Sequence, residues 1–155
     1  MRKIDALLLE YSESHQNKIN KAFHWICVPT IFFTIVGLFY CIPFFVERTI
    51  WANWAMIALI LSFVYYLSLS TIMAISFAIF TLLCIYINNA LYIYFGSIID
   101  LFYCLIVVFI IAWIGQFIGH SIEGKKPSFF KDIQFLLIGP AWLLHFIYKK
   151  LNIKY

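Results

Sequence analysis

The chain is organised by its long stretches without charge. Twenty-five residues separate Lys21 from Glu47, 51 separate Arg48 from Asp100, and 22 separate Asp100 from Glu123, and none of them is Asp, Glu, Lys or Arg. A helix crosses the hydrocarbon core with about 20 apolar residues, so the middle stretch accommodates two crossings and each of the others one. The pattern predicts four transmembrane helices, at 24–45, 50–68, 72–95 and 101–120, with a turn at Ser68–Thr71 that no charge marks. A fifth apolar run, "IQFLLIGPAWLLHFIY" (133–148), is interrupted by Gly139-Pro140. It would reach only about 24 Å against a core near 30 Å, which predicts a short, kinked interfacial or re-entrant helix. At the other end of the chain Ile4, Leu7, Leu8 and Tyr11 recur at helical spacing, with Lys3, Glu10, Glu13 and Asn17 around the rest of the wheel. Residues 1–21 therefore read as an amphipathic segment lying on the membrane surface, with His15 at the end of its apolar stripe. The expected fold is an all-α integral membrane protein, a single membrane domain over residues 1–155.

Composition agrees with this pattern and narrows the setting. The residues are 65% hydrophobic and 12% charged, with 17 Phe and 10 Tyr, more apolar surface than a water-soluble chain of 155 residues can hide. Arg2, Lys3, Lys18 and Lys21 precede the first crossing, and Lys125, Lys126, Lys131, Lys149, Lys150 and Lys154 follow the fourth; only Arg48 lies between. Basic residues accumulate on the cytoplasmic side, so both termini are expected there, at the inner membrane in a bacterium or the endoplasmic reticulum in a eukaryote. The net charge of +4 then reflects topology and contact with anionic lipid headgroups, not nucleic-acid binding. The start "MRKIDALLLEY" lacks a cleavable signal pattern, and the first crossing is expected to serve as an anchor. Cys27, Cys41, Cys84 and Cys104 fall within crossings and form no CxxC pair, which argues against disulfides and a thiolate zinc site.

The few polar residues gather. Gln116, His120 and Glu123 are spaced i, i+4, i+7 and form one stripe if the fourth helix runs to Glu123, with Trp113 above them. Gly115 and Gly119 form a GxxxG on the adjoining face, where another helix can approach closely. The first and fourth helices cross in opposite senses, so His24 and His120 reach the same face of the membrane, and His145 can lie there too. His15 and His24 are nine residues apart, which places them on opposite faces of one continuous helix. They share a ligand only if the chain bends, and "QNKIN" (16–20) supplies the turn-favouring residues. Two readings of the four histidines stay open: a metal site, and histidines that simply favour an interface. A haem between two of them is a third. For a metal, several imidazoles with a nearby carboxylate suit iron, zinc less so, with Glu123 either a ligand or the group that fixes a histidine tautomer. Lys21, Lys125 and Lys126 at the mouth are positive-inside residues or partners for a substrate carboxylate.

Two separated motifs carry a family resemblance. His15, Asn20, His24, Val28 and Pro29 form H-x4-N-x3-H-x3-VP, and Trp113, Gln116, Phe117, Gly119 and His120 form W-x2-QF-x-GH, followed by Glu123, Lys125, Lys126 and Pro127. Together they resemble a family of small membrane proteins whose founding fungal member is a 2-hydroxy fatty acid dioxygenase acting in phytosphingosine breakdown. The resemblance implies an iron(II)-dependent oxygenase that shortens a long-chain 2-hydroxy fatty acid by one carbon with molecular oxygen. His15, His24 and His120 match the family's metal-binding histidines, and His145 joins them as a candidate from its position. Glu123 and Gln116 are the candidate catalytic groups, and Lys21, Lys125, Lys126, Asn20 and Trp113 the candidate substrate contacts. The rival expectation is a membrane scaffold or small transporter without enzymatic activity.

Overall fold

The computed structural model describes residues 2–126 and 134–155, which form six helices; no strand is among them. They are α1 (Lys3–Ser12), α2 (Lys18–Cys41), α3 (Trp54–Leu67), α4 (Thr71–Phe95), α5 (Ile98–Glu123) and α6 (Phe135–Lys150). Local chemistry fixes most of the boundaries. Asn17, Asn53, Ser70 and Ser97 cap the N-termini of α2 to α5, each side chain accepting a bond from a first-turn amide. Gly96 and Gly124 end α4 and α5 in the left-handed conformation, φ 66° and 72°, where a Cβ would be strained.

The crossings are placed differently from the charge gaps. α2 begins at Lys18 and stops at Cys41 rather than spanning 24–45, because Ile42 precedes Pro43 and is forced into extended backbone, ψ 134°. The segment expected as a crossing at 50–68 is helical only over the 14 residues of α3, about 21 Å. Three helices, α2, α4 and α5, are therefore long and apolar enough to cross a membrane, where four were expected. α5 runs three residues past the expected 120, to Glu123, which keeps Gln116, His120 and Glu123 on one helix. α6 stays helical through Gly139 and Pro140, although the proline removes one helical hydrogen bond; residue 133, the first of that expected run, lies outside the described residues.

α2 and α5 are the most extensively packed pair of helices. Gly115 and Gly119 explain the close approach: a Cβ on Gly119 would stand 2.6 Å from Asn20 Oδ1, and one on Gly115 2.8 Å from Cys27 Sγ. α1 does not lie free on a surface. Its stripe, Ile4, Leu7, Leu8 and Tyr11, is buried against Ile138, Ala141 and Trp142 of α6, and this core continues into Tyr66, Met73 and Phe77 at the α3–α4 turn. The pair α1 and α6 thus closes the end of the bundle that carries the starts of α2 and α4 and the end of α5. The Trp142 indole fastens it, donating to Ser12 Oγ at 2.8 Å.

Candidate metal centre

α1 ends at Ser12 and α2 begins at Lys18, and the bend between them turns His15 back toward His24. Their Nε2 atoms are 2.8 Å apart. His120, from α5, adds a third ring, centroid 4.9 Å from His15 and 5.0 Å from His24. All three side chains are buried, His15 and His24 completely, and each offers a ring nitrogen within 4.8 Å of the others.

The tautomers follow from the backbone. His15 Nδ1 is 2.5 Å from the Tyr11 carbonyl and His24 Nδ1 is 3.0 Å from the Asn20 carbonyl. A carbonyl only accepts, so both Nδ1 atoms carry hydrogen, and in neutral imidazoles both Nε2 atoms then hold bare lone pairs. Burial, with His24 close by, pushes the His15 pKa down to about 3, so this ring stays neutral at ordinary pH. Two lone pairs therefore face each other across 2.8 Å. A cation held between the two nitrogens would resolve that conflict. Backbone carbonyls holding the far nitrogens are the arrangement that orients imidazole ligands.

Further unsatisfied atoms converge on the same place. His120 Nδ1 and Gln116 Oε1 are buried with no hydrogen-bond partner among the described residues. The Gln116 amide nitrogen donates to His24 Nε2 at 3.0 Å, and a half-turn of that amide would present the oxygen instead. Such orphaned polar atoms are rare in buried protein and point to an absent partner. Three imidazoles and an amide beside a cleft fit iron or zinc with positions left open, so the residues present suit the metal that the sequence motifs imply.

Glu123 stands beside this cluster. Its carboxylate accepts from the amides of Gln16 (2.9 Å) and Asn17 (2.8 Å) and from Asn20 Nδ2 (3.1 Å), and so ties the end of α5 to the bend that carries His15. Asn20 is fully buried and also donates to the Ser14 carbonyl. Lys125 donates to the Glu13 carbonyl at 2.6 Å, a second tie on the same bend, whereas Lys126 is exposed and Lys21 half-buried. Trp113, Gln116 and His120 line a narrow cleft whose other walls are Tyr11 of α1 and apolar residues of α2 and α6. His145 is apart from the three: its Nδ1 meets the Tyr155 hydroxyl, and it is no member of the cluster.

Two residues of the site were not among the candidates. Tyr11 holds His15 through its carbonyl and stacks on the ring, centroids 4.1 Å apart and planes 10° from parallel. Trp142 packs against the same ring at 5.2 Å and against His24 at 6.2 Å. For Tyr11 the signal was its i, i+4 spacing from His15; Trp142 had none, because α6 reaches the site only through tertiary packing.

No curated protein and no solved structure matches the chain. One family description does, over residues 1–151, nearly the whole length and including both ends of the site. On that match the chain belongs to the 2-hydroxy-palmitic acid dioxygenase Mpo1-like family.

Proposed function

We propose that the three histidines hold iron(II) and that the protein is a dioxygenase shortening long-chain 2-hydroxy fatty acids by one carbon. The observation that carries this is the approach of His15 Nε2 and His24 Nε2 to 2.8 Å, with the Nδ1 of each ring set against a backbone carbonyl. Bound iron(II) supplies the redox chemistry that molecular oxygen needs to react with a carbon–carbon bond. The chain contributes the geometry. His15, His24 and His120 would hold the metal, and the cleft lined by Gln116 and His120 would take the carboxylate and hydroxyl of a 2-hydroxy acid. Gln116, reaching the same space, orients that head group by hydrogen bonding. Tyr11, Asn20 and Glu123 act as positioning residues, holding the imidazoles in their tautomers and the bend against α5. Tyr11, Trp142 and the α1–α6 pair keep water from the site.

Membrane placement belongs to the same reading. The basic residues at both ends put the termini and the histidines on the cytoplasmic side. α3 makes a fourth crossing despite its length, because α6 continues the layer where α3 stops: the Tyr66 hydroxyl donates to the Leu137 carbonyl there. Such a substrate is dissolved in the bilayer with its head group at the interface, the level at which the three rings meet.

The test is elemental analysis of the purified protein beside His120→Ala, with both incubated with 2-hydroxypalmitate and oxygen. Stoichiometric iron and an acid one carbon shorter, both lost in the variant, are expected. Absence of iron after anaerobic reconstitution overturns the reading and leaves a membrane scaffold. Zinc without turnover redirects the site toward hydrolytic chemistry.

A further inference from the structure

The cleft at the histidines does not end there. Phe32 and Ile35 of α2 and Leu136 of α6 line it, and the same three residues line a larger groove between α2 and α3. That groove has a free volume of about 560 Å³, against about 50 Å³ for the cleft. It begins at Gln134 and Leu137, where the end of α3 meets α6, and reaches Phe39, Ala55 and Ala58 near the start of α3. The floor is Phe77 and Thr81 of α4, and the Thr81 hydroxyl is tied to its own helix through the Phe77 carbonyl. Small side chains open the α3 wall: Ala55, Ala58 and Ser62 stand where larger residues would close it.

We infer that this groove is the seat of a single long acyl chain whose head group lies at the three histidines; this rests on the oxygenase reading given above. Length, lining and continuity each favour it. From His24 to Phe39 the helix rises about 22 Å, more than the roughly 15 Å that one leaflet of acyl chains occupies, so a long chain fits extended. The walls are mostly apolar, Ser62, Tyr65, Thr81 and Gln134 being the exceptions, and no histidine lines the groove until the cleft narrows to Gln116 and His120. Leu61, on the lip, is 67% exposed, so the groove is open sideways and a chain enters from the bilayer without passing through water. Moving an alkyl chain from lipid to such a wall changes little free energy, because lipid tails are as apolar as leucine. The groove therefore does not tighten binding by burial. It fixes where the chain runs, and through that where C1 and C2 stand.

A 16-carbon 2-hydroxy acid carrying a diazirine on its terminal carbon tests this in the full-length, iron-loaded protein in lipid nanodiscs. After irradiation, adducts are expected on Phe39, Ala58 or Leu59, reduced at least fivefold by excess unlabelled 2-hydroxypalmitate and at least fivefold in Ala58→Phe. Adducts on the outward Ile110 and Ile111 of α5 overturn the proposal, as do adducts on Trp25 and Leu144 of the smaller cleft on the other side of α2. Equal labelling of the groove by a phospholipid with the same terminal group, uncompeted by the hydroxy acid, overturns it too, since the groove then holds bulk lipid. Turnover is measured in parallel. Competed groove adducts without turnover keep the chain seat and remove the oxygenase reading, whereas turnover without groove adducts does the reverse.

Discussion

Two polar clusters bridge the long helices, one at each end, and they are built on opposite rules. At the end away from the histidines, donors meet acceptors. The Tyr40 hydroxyl donates to Asn89 Oδ1 at 2.9 Å, and Arg48 donates to the Cys41 carbonyl at 3.1 Å while lying over the rings of Tyr40 and Tyr92. What is left over there, Asn88 Oδ1 and Arg48 Nε, is one acceptor and one donor, each isolated. At the histidine end the balance is short of donors: His15 Nε2 faces His24 Nε2, the Gln116 amide nitrogen donates to His24 Nε2, and Gln116 Oε1, Asn20 Oδ1 and His120 Nδ1 have no partner among the described residues. A polar cluster that only fastens helices pairs donors with acceptors and leaves over no more than scattered single atoms. One that leaves lone pairs converging needs something positive between them, and this separates a binding site from a structural contact made of similar residues.

Removing one side of the convergence is the strongest way to break the comparison. His24→Ala deletes the ring that faces both His15 and Gln116, and metal bound per chain is expected to fall by roughly 100-fold or more, beyond the 10–100-fold typical of losing an outer partner. Elemental analysis after gel filtration measures it, and unchanged metal content would dissolve the distinction between the two clusters. Glu123→Gln is milder. It keeps the shape but loses the charge and one acceptor oxygen, loosening the amides of Gln16 and Asn17 that carry His15. Metal affinity is expected to drop about tenfold, with bound metal retained at saturating concentration. Complete loss at saturation would instead make Glu123 a ligand.

How much of this was legible in the sequence differs between the same two ends. The charge gaps mark α2, α4 and α5 because a hydrocarbon setting excludes charge wherever it occurs. They do not show that Ile42–Asn53 is irregular, since Pro43 and the capping Asn53 act locally while the gap merely counts residues. At the histidine end, helical geometry made a bend the condition for His15 and His24 to meet, and His120 was set on one stripe with Gln116. The carbonyl partners were invisible, because every residue has a carbonyl and only the fold selects those of Tyr11 and Asn20. The position of Glu123 was open for a related reason: its partners, Gln16 and Asn17, lie more than 100 residues away in the chain. His145 was drawn in by topology alone and stands one turn too far along α6.

The glycines sharpen the comparison at equal chemistry. Gly119→Ala puts a methyl 2.6 Å from Asn20 Oδ1, and Gly37→Ala puts one 2.2 Å from Asn88 Oδ1 and 2.7 Å from Leu105 Cδ1. Each overpacks a close helix contact and is expected to cost about 1–3 kcal/mol, read as a lower midpoint of thermal unfolding in detergent. Only Gly119→Ala displaces a residue that holds a histidine, so it alone is expected to weaken metal binding. Equal loss of metal affinity in both variants would mean that the site responds to general loosening of the bundle.

The smallest effect is expected from Tyr40→Phe. The ring stays, with its apolar contacts to Val36, Ala55 and Leu59, and one hydrogen bond to Asn89 disappears. Because Asn89 then loses a single neutral partner, stability is expected to fall by only about 1 kcal/mol. The centroid of Tyr40 would remain under the Arg48 guanidinium, so the stacked cation is not released. Metal content and affinity should match the unaltered protein, because at this end no two unpaired acceptors converge: Asn88 Oδ1 is the one acceptor left over among the described residues. A Tyr40→Phe protein with normal melting but altered metal binding would contradict the division of labour between the two ends more sharply than any histidine variant, since it would place part of the binding energy in a cluster whose donors already meet acceptors.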